Sequence, residues 1–217
     1  MAGKRQLLLR IYERLLEELG PQYWWPADTP LEVIVGAILT QNTSWKNVER
    51  AIQILKEQGL LDFQALREVP VSHLASLIRS AGYYNQKARK LKGFIEYVQE
   101  HWDGNLHRFL SQEKDELREE LLRVRGIGPE TADSIVLYAA HQPSFVVDAY
   151  THRIFSRHGW VPDEVSYLEL QEFFMSNLEP DTSLFQEYHA LLVRTGHRFC
   201  RRRPNCDPCP LRGWEAE

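Results

Sequence analysis

Residues 121–136 of this 217-residue chain read Leu121-Leu-Arg-Val-Arg-Gly-Ile-Gly-Pro-Glu-Thr-Ala-Asp-Ser-Ile-Val136, and no other stretch of the sequence is as informative. The pattern predicts a helix that ends before Gly126, a Gly-Ile-Gly turn, and a second helix that starts at Pro129. Gly126 and Gly128 permit a positive φ angle and a close backbone approach, and Pro129 leaves neighbouring amides free to face an anion.

This arrangement is a helix-hairpin-helix motif, which predicts a contact with a DNA phosphate. The N–H groups of the turn and the positive end of the helix dipole can hold a phosphate without reading any base, often with a bound monovalent cation. The expected DNA contacts in the motif are Arg125, Gly126, Ile127, Gly128 and Thr131. A helical hairpin with a glycine cap also occurs without DNA binding, so the motif alone leaves a structural role open.

Helical periodicity continues outward from the hairpin over nearly the whole chain, and no segment alternates like a strand. We expect Asn85 and Ser166 to cap two of these helices. The predicted helices cover residues 8–19, 31–39, 48–58, 72–79, 86–101, 113–122, 130–140, 150–157, 166–178 and 184–199.

The composition is that of an ordinary globular protein, with 43% hydrophobic and 26% charged residues. The sequence contains no run of about 18 apolar residues, and its N-terminal stretch is charged, so we expect neither a membrane span nor a signal peptide but a cytoplasmic monomer. The net charge of −4 does not indicate a nucleic-acid binder, although basic residues cluster. The clusters are Lys87, Arg89, Lys90 and Lys92, and the arginines between residues 194 and 212. Either cluster is equally consistent with a solvated helix face.

A second informative segment, residues 145–155, follows the hairpin and reads Phe-Val-Val-Asp-Ala-Tyr-Thr-His-Arg-Ile-Phe. The hairpin, the loop before this segment and the Val147-Asp148 step into a helix resemble the DNA glycosylase superfamily that includes endonuclease III and the adenine glycosylases. Residues 38–43, residues 82–88 and the C-terminal cysteines add to the resemblance, which covers nearly the whole chain. It implies excision of a damaged base from double-stranded DNA.

The resemblance also implies an all-α fold of two lobes with a DNA cleft between them. One lobe, residues 31–140, is expected to be a helical barrel that contains the hairpin at about 113–140. The other lobe combines residues 1–30 with residues 141–217 and ends in a cysteine loop at 197–212.

Asp148 is the expected catalytic residue. Breaking an N-glycosidic bond develops positive charge on the sugar, and a carboxylate can stabilise that charge and orient or deprotonate water. Asp148 could equally serve as the N-cap of the following helix. In relatives that also cut the strand, a lysine at the start of the second hairpin helix attacks the sugar, and here that position is Glu130. A carboxylate cannot form an imine, so we predict a monofunctional enzyme without lyase activity.

Gln41 matches the residue that the family inserts into the gap left by a flipped base, although a plain helix C-terminus explains a lone glutamine as well. The base pocket is expected to contain Trp24, Trp25, Trp45 and Glu130. Aromatic rings stack on bases and attract cations, so a tryptophan-lined pocket favours a positively charged alkylated base. Core packing would explain at least one of these rings too.

The Tyr-Trp-Trp-Pro start and the glutamate at the hairpin look like the 3-methyladenine DNA glycosylase III branch, which implies removal of alkylated purines. The alternatives are an endonuclease III-like or adenine-mispair glycosylase and, from another class, a non-catalytic helix-hairpin-helix DNA-binding protein. An adenine glycosylase needs an acidic residue near the first matched helix, and Glu32 is the nearest candidate.

The C-terminal tail resembles the iron-sulfur loop of the family, in which four thiolates hold a 4Fe-4S cluster. Only three cysteines are present, and Glu215 stands near the fourth position. Zinc bound with His197 and a loop without metal are alternatives. The candidate ligands are Cys200, Cys206 and Cys209, with His197 or Glu215 as the fourth. In each case we expect the loop to direct Arg201, Arg202 and Arg203 toward a phosphate.

Overall fold

A computed structural model describes residues 2–214, in which the chain forms twelve α-helices and no strand. The predicted all-α class is therefore confirmed. No helix in this range is long and apolar enough to cross a membrane. The helices are α1 (Ala2–Leu19), α2 (Pro30–Thr40), α3 (Trp45–Glu57), α4 (Phe63–Glu68), α5 (Val71–Leu77), α6 (Tyr84–Trp102), α7 (Leu106–Leu110), α8 (Lys114–Arg123), α9 (Pro129–Tyr138), α10 (Ala149–Arg157), α11 (Tyr167–Met175) and α12 (Thr182–Arg198), with a 3-10 turn at Arg79–Ala81.

Two helices and one cap differ from the prediction. The helices α4 and α7 were not predicted, because six and five residues are too few to show a helical period. Asn85 does not cap α6: Tyr83 stands at that N-cap in a left-handed conformation, with no side-chain hydrogen bond. Ser166 does cap α11, and Glu169 completes a reciprocal capping box.

The contacts divide the chain into two compact units. The terminal unit comprises the described residues up to Pro26 and those from Pro143 onward, and the central unit is Ala27–Gln142. In the central unit, α2 contacts α3, α6 and α9. Residues 31–39 of α2 are all buried, as expected for a helix that is apolar on every side.

An ion pair joins the two helices of the hairpin. The Nε and Nη2 atoms of Arg118 on α8 donate to the two carboxylate oxygens of Asp133 on α9, at 2.8 and 3.1 Å. The Asp133 side chain is fully buried, and this bidentate contact places a cation beside its carboxylate. The pair therefore ties α8 to α9 beyond the turn.

The terminal unit has an aromatic core. Phe145, in the segment before α10, stacks on Phe174 of α11 with ring centroids 3.9 Å apart. The hydroxyl of Tyr188 on α12 donates to the carbonyl of Leu8 on α1 at 2.9 Å. These contacts bring α1, α11 and α12 around the segment that leads into Asp148.

Candidate active site

Asp148 is the N-cap of α10, in an extended conformation. Its Oδ1 accepts hydrogen bonds from the backbone N of Thr151 at 2.7 Å and from the Thr151 hydroxyl at 2.9 Å. Its Oδ2 makes no hydrogen bond to any residue of the described range, and 12% of the side chain is exposed. One oxygen thus anchors the carboxylate, and the other has no hydrogen bond within the described range.

His189 on α12 lies beside this second oxygen, with its Nε2 at 4.0 Å from Oδ2 of Asp148. Burial lowers the pKa of His189, because a charged ring is costly in an apolar setting, while the Asp148 carboxylate opposes that shift. The sequence analysis did not single out His189, since one histidine in an apolar helix carries no signal of its own. Thr151 was also missed, although its position three residues after a cap aspartate is a local signal.

The hairpin turn has the predicted geometry. Gly126 has a φ of +93°, and the amide of Ile127 donates to the carbonyl of Val124 at 3.1 Å. Gly128 is the extended N-cap of α9, Pro129 is the first helical residue, and no side chain caps this end. No side chain therefore caps the amides at the start of α9, which leaves them able to bind an anion, although the Glu130 carboxylate in the first turn reduces the positive charge there.

Gln41 lies at the end of α2 and is held against the hairpin. Its Nε2 donates to Thr131 Oγ1 at 3.0 Å and to the carbonyl of Gly126 at 3.3 Å, and its Oε1 accepts from Lys90. The Lys90 stem packs so closely on Gly126 that a Cβ there would lie 2.7 Å from its Cγ. Three predicted DNA contacts are thus brought together, with Lys90 as an additional member.

The basic cluster at residues 87–92 is not a DNA-facing surface as a whole. Lys87 is 2% exposed, and its Nζ donates to the carbonyls of Leu39 and Ala81 at 2.8 and 2.7 Å. Burial, with a smaller effect of Lys90, lowers the pKa of Lys87 to about 8. The neighbouring Lys92 is also buried and donates to backbone carbonyls at the end of α4. Two of the four charges therefore bind backbone inside the central unit.

The expected base-pocket residues are distributed over both units. Trp24 and Trp25 belong to the terminal unit, are half-buried and have ring centroids 5.2 Å apart. Trp45 is the first residue of α3, and Glu130 is an exposed residue in the first turn of α9, both in the central unit. A pocket that contains all four residues stays a prediction.

Glu32 does not have the environment of a catalytic acid. It is 3% exposed and accepts from the amide of Asp28 at 2.9 Å and from Lys56 at 2.8 Å. Hydrogen bonds from Lys56 to Asp28 and Glu32 raise the pKa of Lys56, which keeps the ammonium charged. Glu32 is therefore committed to an ion pair that anchors the start of α2.

The described part of the cysteine loop does not present a complete set of ligands for a 4Fe-4S cluster. Its three cysteines are one fewer than such a cluster requires, and they differ in burial, from buried Cys200 to exposed Cys206. No group of three or more potential ligands, His197 included, is arranged to hold a metal ion in residues 2–214. Glu215 lies outside the described residues. The cluster, zinc and the hairpin cation stay predictions, and no step below depends on them.

Two arginines of α10 hold the loop instead. Arg153 Nε donates to the carbonyl of Cys200 at 2.6 Å, and Arg157 donates to the carbonyls of Arg201 and Arg202 at 2.6 and 3.1 Å. Arg157 also donates to Cys200 Sγ at 3.4 Å. Arg201, Arg202 and Arg203 are exposed, so their charges are accessible to an anion.

Comparisons with known proteins agree with this arrangement. The profile of the HhH-GPD superfamily base excision DNA repair proteins matches residues 35–180. A Methanocaldococcus jannaschii protein, provisionally named a DNA repair glycosylase, is 49% identical over 212 residues, which are 97% of this chain and 96% of that protein.

Two solved structures are similar in fold. The H. pylori 3-methyladenine DNA glycosylase bound to 1,N6-ethenoadenine has a TM-score of 0.75 and 27% identity, over 90% of this chain and 97% of that one. A non-covalent complex of endonuclease III with DNA has a TM-score of 0.81 and 22% identity, over 95% and 92% of the two chains. With the hairpin, the capped aspartate and these matches together, the chain belongs to the HhH-GPD superfamily of base excision DNA repair proteins.

Proposed function

We propose that this repair protein is a monofunctional DNA glycosylase that hydrolyses the N-glycosidic bond of a damaged base in double-stranded DNA. The environment of Asp148 carries the proposal. Its Oδ1 is fixed by two hydrogen bonds from Thr151, whereas Oδ2 has none within the described range and is partly exposed. A carboxylate anchored in this way needs little reorganisation to act on a substrate.

The reaction follows from the chemistry of the bond. As the bond between the sugar C1′ and the base nitrogen breaks, its electron pair leaves with the base, and positive charge develops on the sugar. Asp148 stabilises that charge, and a water adds to C1′ and gives up a proton to the carboxylate. The products are a free base and an abasic site.

Glu130 supports hydrolysis over strand cleavage. A lyase of this kind needs an amine that attacks C1′ and forms an imine, and a carboxylate in the first turn of α9 cannot supply one. Asp148 and water are then sufficient for the proposed chemistry.

Alkylated purines are the proposed substrates. The half-buried Trp24 and Trp25 offer faces that attract a base carrying positive charge. The similar H. pylori glycosylase is bound to 1,N6-ethenoadenine, a modified adenine. The ion pair of Glu32 with Lys56 speaks against the adenine-mispair alternative, because it occupies the candidate acid.

DNA is proposed to bind through backbone amides and exposed cations. The uncapped end of α9 and Arg125 hold a phosphate, and Gln41 fills the gap left by the flipped nucleotide. Arg201, Arg202 and Arg203 add exposed charge that attracts the phosphate backbone.

The proposal is tested with Asp148→Asn. Asparagine is also a good N-cap, so the substitution removes the negative charge and keeps the start of α10. The matched control is Asp181→Asn, since Asp181 caps α12 through the Leu184 amide at 2.8 Å. Both variants are incubated with duplexes that each carry one lesion: 3-methyladenine, 7-methylguanine, 1,N6-ethenoadenine, uracil or an oxidised purine.

Wild-type protein and Asp181→Asn should release free base from an alkylated purine, and Asp148→Asn should not. If the wild-type protein releases no base from any duplex but binds all of them, the chain is a DNA-binding module and the proposal is wrong. Borohydride is added to parallel reactions. A covalent protein–DNA adduct would contradict the monofunctional mechanism.

A further inference from the structure

The position of His189 relative to Asp148 is set by a tight crossing of α10 and α12. Gly196 on α12 lies against Tyr150, two residues after Asp148, and a Cβ at Gly196 would lie 2.3 Å from the Tyr150 ring. Helices α10 and α12 are in contact, and Thr151 and Ile154 of α10 are fully buried. Because these two helices pack so closely, the distance between Asp148, at the start of α10, and the His189 side chain on α12 can vary little.

His189 is polar in a segment that is otherwise suited to apolar residues. It is 6% exposed, and its neighbours Ala190, Leu191 and Leu192 are buried as well. Burying an imidazole costs free energy that a leucine would not cost. The polar ring at this position lies beside the Asp148 carboxylate, with Nε2 at 4.0 Å from Oδ2.

The charge state of His189 matters for Asp148. Burial lowers the pKa of His189, which favours the neutral ring near neutral pH. A cationic partner at this place would form an ion pair with Asp148 and offset the negative charge that the reaction needs. A neutral ring at 4.0 Å restricts the carboxylate without offsetting its charge.

We infer that His189 is a positioning residue for Asp148, an inference that rests on the proposed function. Thr151 holds Oδ1 through two hydrogen bonds, and the His189 ring lies against Oδ2. Between them they limit rotation of the carboxylate, so that Oδ2 meets C1′ and water in one orientation. His189 itself does not touch the substrate in this account.

The test compares His189→Leu with His189→Gln in single-turnover reactions. The substrate is a duplex with one 1,N6-ethenoadenine or, if another lesion of the panel is released faster, that lesion. His189→Leu should lower the excision rate constant roughly 10- to 100-fold while the Kd for the duplex changes less than about twofold. His189→Gln, which keeps a polar amide near Nε2, should recover most of the rate.

A double-mutant cycle separates positioning from a general loss of structure. If His189 acts through Asp148, then His189→Leu should cause little further loss of the residual excision rate in an Asp148→Asn background, measured over long incubations. Equal proportional losses in both backgrounds would overturn the inference, as would a wild-type rate for His189→Leu. Should His189→Leu fail to fold, His189→Met, which is also apolar but more flexible, replaces it in both the rate comparison and the cycle.

The outcomes distinguish this inference from the proposed function. If Asp148→Asn retains the wild-type rate, the proposed function is wrong and the inference falls with it. If Asp148→Asn is inactive while both His189 variants match the wild-type rate, only the inference is wrong.

Discussion

The side-chain amide of Gln41 donates a hydrogen bond to the hydroxyl of Thr131, at 3.0 Å between the two atoms. This contact joins the end of α2 to the first turn of α9, where the hairpin presents its amides. A side-chain hydrogen bond therefore connects the proposed gap-filling residue to the proposed phosphate site within the central unit.

Replacing Gln41 with alanine should lower excision from a fully paired duplex roughly tenfold, equivalent to about 1.4 kcal/mol. The loss should be smaller when the lesion is mispaired, because flipping then costs less. Thr131→Val removes the hydrogen bond between Thr131 and Gln41 and should lower the free energy of unfolding by roughly 1 kcal/mol. The matched control is Thr40→Val, since the Thr40 hydroxyl bonds only within α2, to the carbonyl of Gly36. Equal losses on paired and mispaired lesions would contradict the gap-filling role.

Replacing Arg118 with methionine should reduce the free energy of unfolding by roughly 3 kcal/mol, because the fully buried Asp133 carboxylate would lose its bidentate cationic partner. Urea unfolding measures the change. Adding Asp133→Leu should restore part of the loss, since the double variant buries no carboxylate at this position. If the double variant loses as much unfolding free energy as the two single variants together, the two side chains do not stabilise the hairpin through their interaction.

Gly196→Ala should destabilise the terminal unit by roughly 1 to 3 kcal/mol, because the new Cβ would overlap the Tyr150 ring. Gly93→Ala on α6 is the matched control: a Cβ there meets nothing within 4 Å, so that variant should be neutral or slightly more stable. Thermal unfolding compares the two. In a Tyr150→Ala background, Gly196→Ala should no longer lower the stability. If it destabilises that background by the same amount as the wild type, overlap with the Tyr150 ring is not the cause.

Lys87 predicts a pH dependence of stability. Its pKa of about 8 in the folded protein is below the value near 10.4 of an unfolded chain. Between these pH values the unfolded chain binds more protons, so the wild-type stability should rise with pH relative to Lys87→Met, which does not titrate there. The free energy of unfolding of the wild type minus that of Lys87→Met should increase by up to roughly 3 kcal/mol from pH 8 to pH 10.5. Below pH 7 this difference should not change with pH. Urea unfolding across this range measures it, and a flat difference throughout would contradict the lowered pKa.

The arginines of α10 should keep the C-terminal loop ordered without a metal. Arg157→Ala should expose the bonds after Arg201 and Arg202 to trypsin, because it removes the hydrogen bonds to the carbonyls of these two residues. Arg212→Ala should change little, since it breaks only an exposed ion pair with Asp207. A chelator should leave the melting temperature unchanged. Stoichiometric iron with absorbance near 400 nm would show instead that a cluster holds the loop.

The hairpin and the cap of Asp148 were predictable because both are local. The Gly-Ile-Gly turn and Pro129 specify their backbone within a few residues, and an aspartate before a helix finds its hydrogen-bond donors three residues later. The same applies to the capping box at Ser166 and to the helical class of the chain. Helices α4 and α7 were missed because they are shorter than the period that would reveal them.

Burial could not be predicted from charge or spacing alone. In the sequence, Lys87 and Lys92 cannot be distinguished from the exposed Arg89. In the structure, however, their ammonium groups donate hydrogen bonds to backbone carbonyls of segments that are distant along the chain. The packing of His189 against Asp148 likewise depends on how α12 crosses α10. Such pairings depend on which helices pack together, because tertiary contacts join residues that carry no shared pattern along the chain.

The order of residues was therefore enough to specify most of the helices, the Gly-Ile-Gly turn, the aspartate that caps α10 and the absence of an amine at Glu130. Folding decided which charges remain in water, which oxygen of Asp148 is bound by Thr151, and that two arginines of α10 bind carbonyls of the C-terminal loop. The reason is physical: hydrogen bonds within a helix turn are set by near neighbours, whereas desolvation and side-chain packing exist only once distant segments meet.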